Sequence, residues 1–159
     1  MNRTNHSNYQ PVMAAADYTQ VDGQRAYRQE VRELSLGLQE LPQDRRVEVV
    51  AQVSKGEVGQ EGDSESVWPI HRILDAAILL CRSIDYFQEG YRQECLYDPE
   101  HPVFDRIPLQ GAALSVGFTG DHEDIEQHIQ TFQQALEDQG HLIGERLRIL
   151  SRLLNELGH

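Results

Sequence analysis

Cysteine is scarce in this chain of 159 residues: there are two, Cys81 and Cys95. Two are too few for a disulfide framework, and their spacing matches no zinc or redox pattern. Lysine is scarcer still, with Lys55 the sole example among 14 basic residues. Long apolar runs are missing, and none approaches the ~18 residues of a membrane-spanning helix. The first residues, Met1 to Asn8, are polar and have no apolar segment behind them, unlike a secretory signal. The expected compartment is therefore the cytoplasm, with no membrane partner. Positive charge is in deficit: 26 Asp and Glu against 14 Lys and Arg give a formal net charge of −12. A surface that acidic repels phosphate backbones, so nucleic acid is not an expected partner. No Gly-rich phosphate loop or nucleophile elbow is present.

What is there reads as one globular domain. Apolar residues make up 39% and charged residues 25%, ordinary for a chain that can bury a core without staples. Residues 1–16 read as a flexible N-terminal tail and 17–159 as a single helical domain. Tyr27, Val31, Leu34, Leu38 and Leu41 recur at helical spacing, which predicts a helix over about 22–40. Pro42 ends it and suits the first turn of another. Val47, Val50 and Val53 continue as a helix through 54 or, since valine is β-branched, as a strand over 47–53. Residues 55–66, rich in glycine and acids, read as a loop.

From Val67 to Phe87 most residues are apolar, which predicts a central core helix over about 67–89. Asp98-Pro-Glu-His-Pro102 reads as a turn, and 108–118 as a short helix. Ile125, Ile129, Phe132 and Leu136 form one helical stripe, continued by Ile143, Leu147, Leu150, Leu154 and Leu157. The stripe belongs to one long C-terminal helix or to a helical hairpin at Gly140. The expected fold is thus all-α, a bundle of four to six helices around residues 67–89.

Three groups of residues are candidate sites. His71, Asp75, Arg82, Asp85 and Glu89 fall along one line of the 67–89 helix, as a polar stripe. It reads either as a buried polar site or as a solvent edge laced with helical ion pairs. Second, Glu30 and Glu33 on one helix and Asp75 on another could hold Mg²⁺, a hard cation that prefers carboxylates. The Glu30-Val-Arg-Glu33 segment and the run Ile73-Leu-Asp75 to Asp85 resemble the all-α nucleotide pyrophosphatases of the MazG and dUTPase type. The resemblance covers about residues 25–90 and implies a Mg²⁺-dependent pyrophosphatase. It departs at Arg72, where the family pattern has an acid. Third, Ile143, Leu147, Leu150, Leu154 and Leu157 form a candidate interface for a homodimer or for another protein.

The functional expectation is a non-enzymatic protein-interaction or assembly module, without a cofactor. The alternatives are the Mg²⁺-dependent pyrophosphatase and an acidic DNA mimic.

Overall fold

A computed structural model describes residues 8–23, 31–43, 45–55, 64–90, 97–119 and 123–159. Among them are six strands in two antiparallel sheets and three α-helices. The chain divides into two compact units, residues 1–77 and 78–159. The all-α bundle expected from the sequence is therefore not the fold.

The first unit is a four-stranded meander in the order β1 (Tyr9–Ala14), β2 (Val31–Leu41), β3 (Arg46–Lys55), β4 (Ser64–Pro69). The helix expected over 22–40 is replaced from residue 31 onward by β2; Tyr27 lies outside the described residues. The cause is an ambiguity of period. Leu34, Leu36 and Leu38 also alternate at period two, and a strand puts all three on one face. The partner strand supplies the rest: Leu34 lies opposite Val53, Leu36 opposite Ala51 and Leu38 opposite Val49. The valines of 47–53 are thus β3, where β-branched side chains pack well on a pleated surface. Pro42 starts no helix; it sits in the short turn joining Leu41 to its partner Arg46. Arg45 closes that turn with φ at 51°.

Gly37 shows the close approach that the meander requires. A side chain there would collide with the Gln10 carbonyl and the Tyr9 ring of β1. β1 itself lies inside the segment expected as a tail. It is an edge strand, where Pro11 is tolerated because one row of N–H groups is unpaired anyway. Its register against β2 shifts between Pro11 and Met13. Val50 and Ala51 are buried at the sheet's centre, and Ser35 is buried beside them. The Ser35 hydroxyl is satisfied by the Tyr9 hydroxyl at 2.7 Å, as a buried polar group requires.

Helix α1 (Ile70–Gly90) follows β4 directly and continues into the second unit. Its place is close to that read from the sequence, but its role differs. Val67, Trp68 and Pro69 belong to β4, and only Phe87 and Gly90 of α1 are buried. It is not the axis of a bundle. Cys81, surrounded by apolar residues in sequence, is exposed.

The second unit adds a hairpin of β5 (Val103–Pro108) and β6 (Ala113–Gly117), then α2 (Ile125–Asp138) and α3 (Gly140–Leu157). The short helix expected over 108–118 is this hairpin, with Pro108 opposite Ala113 and Val103 opposite Gly117. Aromatic rings make the core. Phe87, Tyr97 and Ile129 are buried, with Tyr86, Phe118, Ile125 and Leu136 against them. Tyr86 stacks on Phe104 at 4.0 Å between centroids, and Phe118 meets Phe87 and Tyr97 edge-on. Such offset and edge-on pairs add to the area that the rings bury.

Helices α2 and α3 are separated by one residue, Gln139, at φ −92° and ψ 5°. On either side the helical pattern holds: Gln139 N–H donates to Ala135 O and Ile143 N–H to Gln139 O, both at 3.0 Å. A helical hairpin needs a loop of about 2–5 residues. One residue bends the path rather than reversing it.

Candidate interaction surface

Helix α3 carries eight aliphatic side chains over 18 residues: Leu142, Ile143, Leu147, Ile149, Leu150, Leu153, Leu154 and Leu157. At 100° per residue they cover an arc of roughly 160°. An arc that wide belongs against other apolar surface, yet no residue of α3 is buried. Ile149, Leu150, Leu153, Leu154 and Leu157 are 39–74% exposed. Together they leave roughly 400 Å² of aliphatic surface in water, the size at which a patch on a monomer signals an interaction. Of the five residues read from sequence as an interface, Ile143 and Leu147 are half-buried and Leu150, Leu154 and Leu157 are exposed.

The half-buried pair lines a groove of about 480 Å³. Its apolar lining comes from Ile84 and Phe87 of α1, Leu136 of α2, and Gly140, Ile143, Gly144 and Leu147 of α3, and Gln88, Gln133 and Glu137 line it as well. The α2 and α3 members recur every three or four residues straight across Gln139, so one face serves both helices. The two glycines lower that wall. A side chain at 140 would meet open space, and one at 144 only the end of Arg148. Sequence reasoning read the stripe and missed the groove, because its α1 wall is some 50 residues distant along the chain.

The polar stripe of α1 runs through both units. His71 and Asp75 lie in the first unit, Arg82, Asp85 and Glu89 in the second. His71 and Glu89 are exposed. Arg82 is held between two carboxylates, Asp85 Oδ2 from Nη1 and Asp105 Oδ2 from Nε, each at 2.7 Å. No acceptor among the described residues lies in line with the Nε–H, so the second contact is an ion pair rather than an aligned hydrogen bond. Both pairs are partly exposed, where such contacts contribute at most about 1 kcal/mol.

Of the Mg²⁺ candidates that the structure describes, one is on a strand and one on a helix. Glu33 is exposed on strand β2 rather than on a helix, and Glu30 lies outside the described residues. Asp75 Oδ2 is 3.2 Å from Nη1 of Arg72, the residue that stands where the pyrophosphatase pattern has an acid. A guanidinium thus occupies the carboxylate's surroundings. Among the described residues, no three His, Cys, Asp or Glu side chains are grouped to hold a metal.

The turn after residue 97 is built by Asp98. Its Oδ1 accepts the Glu100 N–H at 2.9 Å, and its Oδ2 lies 2.9 Å from Nδ1 of His101. The His101 contact first, and then the Glu100 N–H, hold the Asp98 carboxyl below the usual aspartate range. Both bonds favour the ionised form. This is an Asx turn on the surface. Among the described residues, no helix is long and apolar enough to cross a membrane.

These features define a class of architecture: an antiparallel sheet unit, then a helical unit that ends in an amphipathic helix with its apolar face uncovered. The chain belongs to a family of unknown function (DUF6530), whose model matches residues 1–159. No curated protein matches the chain, and no solved structure does.

Proposed function

We propose that the protein is an assembly module of the cytoplasm that works as a homodimer, without chemistry of its own. One observation carries this reading: α3 is rich in leucine along its whole length, yet buries none of its residues. Aliphatic side chains contribute about 25 cal/mol per Å² when removed from water. A helix of this composition therefore gains most where a partner covers it. A second copy is the simplest partner, since two-fold dimers are the commonest oligomers. The scarcity of cysteine suits a reducing compartment.

Light scattering on a gel-filtration column at micromolar concentration tests the reading. The expected mass is about 36 kDa, twice the 18.2 kDa of the chain. A mass that stays at one chain up to about 100 μM, well above the dissociation constants of specific complexes, would remove it.

A further inference from the structure

We infer that the dimer forms by antiparallel pairing of α3 with α3 of a second copy, whose C-terminal leucines enter the groove beside α1. This rests on the homodimer reading and adds the site and its register.

The argument begins with self-complementarity. Gly140, Ile143, Leu147, Leu150, Leu154 and Leu157 recur at spacings of 3, 4, 3, 4 and 3 along α3. This is the seam of a paired helix. A two-fold axis between positions 147 and 150 sets Leu147 against Leu150 of the second copy. The same axis sets Ile143 against Leu154 and Gly140 against Leu157. The half of the seam that lines the groove, residues 140–147, thereby faces the half that is exposed. Each copy offers one groove and one exposed leucine row, so a single isologous contact satisfies both. Leu157, the most exposed of the leucines, arrives where Gly140 leaves open space. Gly144 and Ser151 flank the seam on one side, and both are small enough to let the backbones approach.

Charge points to the same element. Two copies that each carry −12 repel one another. Between Arg106 and Arg146 the sequence has no Lys or Arg, and α2 with the two residues before it bears five acids. Helix α3 has three arginines against two glutamates, and no carboxylate occupies the seam. It is the surface on which two copies meet with least repulsion. The exposed aliphatic patch alone is roughly half of the ~800 Å² per partner of a standard interface, and the groove lining adds to it.

The experiment compares three variants with the wild-type chain by light scattering, with circular dichroism as a check on folding. Leu154→Glu with Leu157→Glu changes side chains that the monomer leaves exposed. It should run as a folded monomer. Gly140→Gln with Gly144→Gln replaces two helix-weakening residues by good helix formers. The variant should stay folded by circular dichroism, yet dimerise at least tenfold more weakly, because the partner's leucines lose their room. Val47→Thr with Val49→Thr alters the sheet unit and should leave the dimer intact. A wild-type monomer would remove the homodimer reading and this inference together. A wild-type dimer that persists in both helix variants, or that dissociates only in the valine variant, would overturn the α3 pairing and leave the homodimer standing. A Gly140→Cys, Leu157→Cys chain, with both native cysteines replaced by serine, then reads the register. Oxidation should yield a disulfide-linked dimer whose peptide map joins position 140 to position 157; a link of either position to itself, or no link with dimer mass retained, would overturn the antiparallel arrangement.

Discussion

The two units solve the burial problem differently. The sheet unit relies on small aliphatic side chains. Val50 and Ala51 are buried at its centre, whereas Met13, Leu36, Leu38, Val47, Val49 and Trp68 share one sheet face and stay 38–66% exposed. The second unit gathers aromatic rings from α1, the 97 region, the β5–β6 hairpin and α2 into one cluster. Rings bury more area per side chain than valine does. The comparison shows that apolar content alone does not build a core. What counts is whether the apolar groups of several elements converge. In the sheet unit an apolar face diverges into solvent; in the helical unit the rings converge, and the surplus is left on α3.

The largest effect that tests this contrast is expected at Phe87. Its ring is buried against Tyr86, Phe118 and Phe132. Phe87→Ala should cost about 3–5 kcal/mol, measured by urea unfolding. Hydrogen exchange should show lost protection in α2 while β2 and β3 keep theirs. Equal loss in both units would show that the division into two units has no energetic meaning.

Gly37→Val should come next. The added side chain collides with β1, and overpacking of this kind costs about 1–3 kcal/mol. The loss should show as exchange of the β1 amides, with the aromatic near-ultraviolet signal of the second unit unchanged. Tyr9→Phe should cost a comparable amount. It removes the partner of the buried Ser35 hydroxyl, and an unsatisfied buried group costs about 1–3 kcal/mol. Combining it with Ser35→Ala should recover part of that loss.

The open sheet face should be nearly indifferent. Val49 is half exposed, and Val49→Thr should shift stability by less than about 0.5 kcal/mol. A large loss would mean that this face is covered in solution.

The smallest effect concerns Asp98, whose folded carboxyl titrates below its ordinary value. A lowered folded value means that the carboxylate stabilises the turn at pH above the unfolded aspartate value. That contribution fades as pH falls through the lowered folded value. An NMR titration should place the Asp98 midpoint below the usual aspartate range, and His101→Ala should move it back up. An unmoved midpoint in that variant would assign the shift to the Glu100 N–H alone.

Much of the second unit was legible along the chain. The 3.6-residue period marked α2 and α3, and Gly140 lies at the junction between them. The apolar run marked α1 within a few residues. Asp98 and the two prolines marked the turn. These are local signals, carried by neighbours three or four residues apart. The helical reading failed in the sheet unit because Val31, Leu34, Leu38 and Leu41 satisfy a helical spacing while Leu34, Leu36 and Leu38 satisfy a strand. Intrinsic preference separates the two only weakly.

The candidate site divides in the same way. The leucines of α3 were read from their spacing alone. The groove that they border was not, since Ile84 and Phe87 reach it only through the fold. Spacing allowed the i,i+3 ion pairs Arg72–Asp75 and Arg82–Asp85, but not the contact of Arg82 with Asp105, which only the fold supplies.

By itself, then, the sequence determined the acidic surface, the stripes of the C-terminal helices and the lack of any membrane-spanning run, since composition and local period suffice for these. Only the tertiary structure decided that residues 31–55 are two strands, that 103–117 is a hairpin, and that α3 ends with its leucines uncovered. Each of those outcomes depends on which distant segment supplies the hydrogen bonds or the apolar surface. A backbone satisfies its N–H and C=O groups within a helix or across a sheet, and the choice falls to the pairing that buries more of the whole chain.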